Sequence, residues 1–97
     1  MKNLLNNAVE ELMVRVNREL EDMRKDINIT MSINAKARVI RHRKENIMRL
    51  IEKLWQLEKH MEKVLPDNHD KIKQIKDFIH KTDLRLLDEI YVSYGCY

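Results

Sequence analysis

The sequence predicts an all-α protein, an up-down-up three-helix bundle that occupies one domain over residues 1–97. The chain contains one Gly and one Pro, too few for the closely spaced turns that a β-sheet fold requires. Hydrophobic residues make up 43% of the chain, which suffices for one core at this length but not for two. These residues recur at intervals of three and four in three segments, which is the spacing of α-helices.

The first helix is predicted over about residues 3–27. Apolar residues in this segment are spaced so that they share one face, while charged residues fill the opposite side. The apolar residues are Leu5, Val9, Leu12, Val16, Leu20, Met23 and Ile27. We expect this face to pack against the other helices.

The connection to the second helix is predicted within residues 26–34. Apolar and polar residues alternate there, and the Asn, Thr and Ser side chains compete with the backbone for helical hydrogen bonds. Ser32 or Asn34 is expected to cap the next helix at its N-terminus. The alternative is a short strand that pairs with a second chain, because alternation is also the period of a strand.

The second helix is predicted over about residues 34–65, and Pro66 ends it. Its apolar stripe comprises Ile33, Ala37, Ile40, Ile47, Ile51, Leu54, Met61 and Leu65. Lys44 and Glu58 interrupt the stripe, where an unpaired charge would be costly. We expect Lys44 to pair with Asp88 on the third helix, and Glu58 to face Gln74 or a second chain. The alternative is that either side chain extends into solvent at the edge of the stripe.

The third helix is predicted over about residues 68–93, with Asp67 as its N-terminal cap. Its apolar stripe comprises Ile72, Ile75, Ile79, Thr82, Leu86 and Ile90. The short turn at Pro66 makes helices two and three antiparallel neighbours. A bundle of this size has a small core, so homodimerisation is a further way to complete it. The alternative architecture is a helical hairpin that completes its core only by dimerising.

Positive charge is concentrated in the first half of the second helix. The chain has a net charge of +3, whereas residues 36–49 alone hold six basic residues against Glu45. The six are Lys36, Arg38, Arg41, Arg43, Lys44 and Arg49. Residues 1–35 and residues 66–97 are slightly acidic on balance, so the basic face is suited to an acidic face of another protein or of a second copy.

We predict that the side of the second helix opposite its apolar stripe binds a partner. The residues predicted to do so are Arg38, Arg41, His42, Arg49 and Trp55. Arg and Trp are enriched among the residues that contribute most to protein interfaces. For Trp55, packing beneath helix one or helix three is the alternative. The chain's three tyrosines, Tyr91, Tyr94 and Tyr97, form a second candidate surface because Tyr suits half-exposed contacts, with packing onto helix one as the alternative.

Catalytic and metal chemistry find little support in the sequence. Cys96 has no neighbouring His to activate its thiol, and a single Gly leaves no phosphate-binding loop. Asp77, His80 and Asp83 are spaced by three residues, but a metal site needs more ligands than these. We therefore expect no enzyme activity, no metal and no cofactor.

The function predicted is that of a non-enzymatic interaction protein, such as a small regulator, adaptor or inhibitor, which acts as a homo-oligomer. The alternative is a nucleic-acid-binding protein that uses the same Arg and Lys residues on phosphates. The single cysteine favours a reducing compartment, so we expect the cytoplasm. No run of about 18 apolar residues is present, and the first residues lack the features of a signal or transit peptide, so no membrane partner is expected.

Overall fold

The computed structural model describes residues 2–29 and 32–94, and the side chains of residues 3–29 and 32–89. It contains three helices, α1 (Lys2–Asn28), α2 (Ile33–Val64) and α3 (His69–Tyr94). The predicted all-α three-helix bundle is confirmed, and each helix boundary lies one residue from its predicted position.

Ser32 is the residue that caps α2. Its backbone is extended, with φ −64° and ψ 158°, and its hydroxyl accepts a hydrogen bond from the Ala35 amide at 3.2 Å. This bond satisfies one of the amides that the first helical turn leaves unpaired. The alternative of a strand over residues 26–34 is wrong for the residues that the structure describes there, since 26–28 complete α1 and 33–34 begin α2.

Pro66 sets the turn between α2 and α3. The preceding residue, Leu65, leaves the helical region with φ −135° and ψ 56°, because the proline ring disfavours helical dihedrals one residue before it. The Leu65 amide still donates to the Met61 carbonyl at 2.8 Å. Since α3 begins at His69, Asn68 rather than Asp67 directly precedes the helix, which corrects the predicted cap.

The core is formed mainly by the predicted stripes, and Met13 of α1 and Leu50 of α2, which those stripes do not include, also belong to it. Its buried hydrophobic members are Val9, Leu12, Met13, Val16, Leu20, Met23, Ile47, Leu50, Ile51, Leu54, Met61, Ile72, Ile75 and Leu86. Thr82 is also buried, as its position in the α3 stripe predicts. Ile33 departs from the prediction and is 78% exposed, because it stands at the very start of α2.

Polar contacts between the helices establish their order and direction. At the start of α1, Glu10 pairs with Lys71 at the start of α3, and Arg24 near the end of α1 lies 2.6 Å from Glu89 near the end of α3. The two helices are therefore parallel, with α2 running antiparallel to both. The Glu89 hydrogen bond raises the pKa of Arg24. The molecule measures 49 × 24 × 15 Å along its principal axes.

The two charged residues in the α2 stripe behave differently. Glu58 is buried, 3% exposed, and its carboxylate lies 3.5 Å from Lys59 Nζ. Lys44 is exposed, and it forms no ion pair with Asp88 among the contacts of the described side chains. The predicted Lys44–Asp88 pair is therefore wrong, since Lys44 stays in solvent at the edge of the stripe.

Candidate interaction surfaces on α2

The structure places the five predicted partner-binding residues on the exposed side of α2, but divides them between two depressions. Arg41, Arg49 and Trp55 line a cleft between α2 and α3. Arg38 and His42 line a separate depression beside the end of α1. The five are thus accessible together, yet the structure brings only three of them around one concave surface.

We call the larger depression the Trp55 cleft. Its volume is about 740 Å³, and it is lined by Arg41, Lys44, Glu45, Met48, Arg49, Ile51, Glu52, Trp55 and Ile79. Trp55 is 51% exposed, so neither α1 nor α3 covers it, and Met48 beside it is also exposed. The cleft therefore offers apolar surface to solvent at its centre, with charged side chains around it.

Lys59 links Trp55 to a chain of ion pairs that ends on α3. Its Nζ lies 5.7 Å from the centroid of the Trp55 ring, within the range of a cation–π contact. The same Nζ lies 3.7 Å from Glu62, and Glu62 in turn lies 3.2 Å from Lys76. The Lys76 hydrogen bond lowers the pKa of Glu62. The contacts thus run from the Trp55 ring on α2 to Lys76 on α3, with the Glu62–Lys76 pair as the one among them that joins the two helices.

The charged groups around the Trp55 cleft are available to a ligand. Three are basic, Arg41, Lys44 and Arg49, and two are acidic, Glu45 and Glu52. Within the part of the chain that the structure describes, none of the three basic groups is in an ion pair. A carboxylate brought by a partner would thus meet cations that form no ion pair with the side chains that the structure describes.

The second depression holds Arg38 and His42 next to Arg43 and Asp26. His42 Nε2 lies 3.5 Å from Asn46 Nδ2, one helical turn further along α2. Arg43 points toward α1 and binds its carboxylates, so the basic charge at this end of α2 is partly neutralised. This depression is consequently less positively charged than the six basic residues of segment 36–49 suggest.

Sequence reasoning missed a third surface, which we call the basic groove. It has a volume of about 370 Å³ between α1 and α2, and it is lined by Arg15, Arg18, Glu19, Asn46, Arg49, Leu50 and Lys53. Arg49 therefore belongs to both the Trp55 cleft and the basic groove. The signal in the sequence was the spacing of Arg15 and Arg18, which places them on neighbouring positions of one helix face.

The positive charge of the basic groove is not apparent from the net charge of α1, because the acidic residues of α1 offset Arg15 and Arg18 in that sum. Three acids of α1 lie within 4.0 Å of the Arg43 guanidinium, namely Glu19, Asp22 and Asp26. These three carboxylates thus neutralise Arg43, and the hydrogen bond that Arg43 donates to Glu19 raises the Arg43 pKa. Arg15 and Arg18 are exposed, and no ion pair involves either of them among the described residues.

The tyrosine surface lies outside the described residues. Tyr91 and Tyr94 fall within the bounds of α3, but their side chains are not described, and neither is Tyr97. Over the side chains that are described, no three His, Cys, Asp or Glu residues are grouped so as to hold a metal ion. No described helix is both long enough and apolar enough to span a bilayer.

Comparison of this chain with known proteins identifies no relative. No protein-family model, no curated protein and no solved structure matches it.

Proposed function

We propose that this chain is a non-enzymatic interaction protein, a small regulator, adaptor or inhibitor, that binds an acidic amphipathic helix of another protein in the Trp55 cleft. Such a ligand presents apolar side chains at intervals of three and four residues, with carboxylates beside them. The partner and this chain would meet in a reducing compartment, the cytoplasm, for which the single Cys96 is the support.

The observation that carries this proposal is the half-exposed Trp55 ring between apolar and basic neighbours. Trp is costly to leave in solvent and is enriched at the centres of protein interfaces. Met48 and Ile79 extend the apolar surface around the ring, and Arg41 and Arg49 border it. Apolar anchors surrounded by charges are the arrangement that gives both affinity and selectivity to an interface.

The acids of the cleft favour a protein over a nucleic acid as its occupant. Glu45 and Glu52 line the cleft together with the three basic groups, and they would repel a continuous chain of phosphates. A helical peptide carries its charges at separate positions, so it can set carboxylates against the arginines and keep them away from the glutamates. The acidic and basic side chains that line the Trp55 cleft thus favour a ligand whose charges are arranged in the complementary pattern.

The proposal is tested by selecting binders from a displayed library of helical peptides in which apolar and charged positions vary. The emission of Trp55, the single tryptophan of the chain, then reports on the cleft during titration. We expect the selected peptides to be acidic and amphipathic, and to shift that emission to shorter wavelength as they cover the ring. Trp55→Ala should weaken their binding by about 30-fold or more, the loss typical of a central interface residue.

Val14→Ala is the matched control, because Val14 is exposed to the same degree as Trp55 but lies on α1. It should leave the affinity unchanged. Selected peptides that bind equally well to Trp55→Ala, or that are predominantly basic, would refute the proposal. So would a library that yields no binder whose affinity depends on the cleft.

Nucleic-acid binding is a second candidate function, favoured by the basic groove rather than by the Trp55 cleft. Arg15 and Arg18 of α1 face Arg49 and Lys53 of α2 across this groove, and the acid among its lining residues, Glu19, lies 3.0 Å from Arg43. Four cations along a concave surface suit the phosphate backbone, and arginine binds phosphate in a bidentate manner.

Salt dependence of oligonucleotide binding separates the two candidates. If the basic groove binds phosphates, the logarithm of the affinity should fall linearly with the logarithm of salt concentration, with a slope of about 0.9 per phosphate contacted on duplex DNA. The Arg15→Gln/Arg18→Gln double variant should reduce this slope by about two, whereas Trp55→Ala should leave it unchanged. Absence of binding to DNA and RNA at low salt would eliminate this second function.

A further inference from the structure

The outer face of α3 carries an apolar pair that the core does not use. Leu84 is 55% exposed and Leu87 is 54% exposed, whereas Leu86 between them is buried. His80 precedes Leu84 by four residues, and the same spacing of three and four continues in the sequence to Tyr91. This spacing is the heptad repeat of a helix that packs on a second helix.

We propose that two copies of this chain pair through antiparallel α3 helices along a seam centred on Leu84 and Leu87. In this arrangement Leu84 of each copy packs beside Leu87 of the other, so the two-fold axis passes between them. The Trp55 cleft contributes Ile79 of α3 and no residue of the seam, so the pairing is independent of the proposed function.

Charge complementarity indicates that the partner at this seam is a second copy of the chain, because the charged residues that flank the seam match those of an antiparallel copy. Lys81 precedes the leucines and Asp88 follows them, both exposed, and neither is in an ion pair among the described side chains. When Leu84 lies opposite Leu87 of an antiparallel copy, heptad geometry sets Lys81 beside Asp88 of that copy. The two-fold symmetry makes this ion pair twice.

A parallel pair of α3 helices is disfavoured by the same residues. Flanking positions of a parallel coiled coil meet at a separation of five residues. Asp83 would then face Asp88 of the other copy, and Lys76 would face Lys81, so both contacts would be repulsive. The charges on α3 therefore select the antiparallel arrangement.

The expected dimer is weak and depends on concentration. Two helices in contact over about two heptads bury less surface than the roughly 1,200 Å² at which stable protein interfaces begin. Half-exposed leucines also leave less area to gain than fully exposed ones. We expect a monomer at low concentration and a dimer as the concentration approaches the range from about 10 µM to 1 mM.

Sedimentation equilibrium across that concentration range tests the pairing. Leu84→Glu and Leu87→Glu should each keep the chain monomeric throughout, since each sets two carboxylates into the seam. Val14→Glu, at an equally exposed apolar position on α1, should dimerise like the unmodified chain. Circular dichroism checks that each variant remains helical.

Charge exchange tests the antiparallel register. Lys81→Glu and Asp88→Lys should each weaken the dimer about tenfold or more, because each replaces two attractive contacts by two repulsive ones. The double variant Lys81→Glu/Asp88→Lys should recover the affinity of the unmodified chain. Residues 81 and 88 are seven apart in one helix, too far to contact each other within a copy, so recovery requires contact between copies. A monomer at every concentration, a dimer that survives Leu84→Glu, or a double variant that fails to recover would overturn the proposal.

Discussion

Arg43 donates a hydrogen bond from Nε to Oδ2 of Asp26, 3.0 Å away, and thereby fastens α2 to the end of α1. Its Nη1 donates a second hydrogen bond to Oε2 of Glu19, also at 3.0 Å. Both carboxylates lie on the same face of α1. The side chain is about a quarter exposed, so water screens these contacts less than it would on an open surface. Arg43 is therefore a structural residue within the most basic segment of the chain.

Replacing Arg43 by Gln should destabilise the fold by about 1–2 kcal/mol. Two charge-assisted hydrogen bonds are lost, and Glu19, Asp22 and Asp26 are left as like charges at neighbouring positions of α1. Urea unfolding followed by circular dichroism measures the change as a lower midpoint with an unchanged slope.

Arg41→Gln is the control, because it removes the same charge from an exposed position of α2 that has no ion pair among the described residues. Its stability should stay within about 0.5 kcal/mol of the unmodified chain. If the two variants unfold at the same urea concentration, the contacts of Arg43 with α1 contribute nothing measurable to stability.

Ser32→Ala should cost about 1 kcal/mol of stability, since it removes the side-chain oxygen that accepts from the Ala35 amide. Ser32→Asp keeps an acceptor at this position and adds a negative charge where the helix dipole favours one, so it should be at least as stable as Ser32. Thermal unfolding of the three proteins gives the order. A Ser32→Ala protein as stable as Ser32→Asp would contradict the role of the cap.

The fold could be predicted because local signals in this sequence agree with one another. Stripes of three- and four-residue spacing identify the buried face of each helix, and Val9, Ile47 and Ile75 are all fully buried as their positions predict. Ser32 and Pro66 mark the ends of α2 through backbone chemistry that acts within a few residues. None of these inferences requires knowledge of how the helices are placed relative to one another.

The candidate site could be predicted only in part, because ion pairs between helices depend on that placement. In the sequence, Arg43 contributes to the positive charge of residues 36–49 and its acidic partners contribute to the negative charge of α1, although the two cancel in the structure. For the same reason, the sequence alone does not single out Arg15 and Arg18. The position of Trp55 off the apolar stripe allows either exposure or burial beneath a neighbouring helix, and its contact with Lys59 and the cleft beside Ile79 depend on how the helices pack.

Replacing the buried Glu58 by Met should stabilise the protein by about 1 kcal/mol. The Glu58 residue is 3% exposed, and in the described structure Lys59 at 3.5 Å is the ion-pair partner of its carboxylate. One lysine, itself partly exposed, does not fully compensate a buried charge, whereas Met has similar length and no such cost. Glu21→Met, at an exposed position on α1, is the control and should change stability little. A less stable Glu58→Met protein would show that the carboxylate has compensating contacts.

The Glu62–Lys76 pair predicts a contribution to stability that is lost in acid. Hydrogen bonding from Lys76 lowers the pKa of Glu62 in the folded state, so this contribution is present above the pKa of unfolded glutamate, about 4.3. It disappears as the pH falls through the lower folded value, because the protonated carboxyl no longer attracts Lys76.

Lys76→Gln should therefore unfold at a lower urea concentration than the unmodified chain at pH 7, with a small difference because the pair is exposed. The difference should shrink below about pH 4 as Glu62 protonates. Lys73→Gln removes a charge from an exposed position of α3 that has no ion pair among the described residues, so it should show no comparable change between pH 7 and acid. A Lys76→Gln difference that persists unchanged at about pH 2.5, well below the ordinary glutamate pKa, would mean that Lys76 stabilises the bundle through its aliphatic stem and not through Glu62.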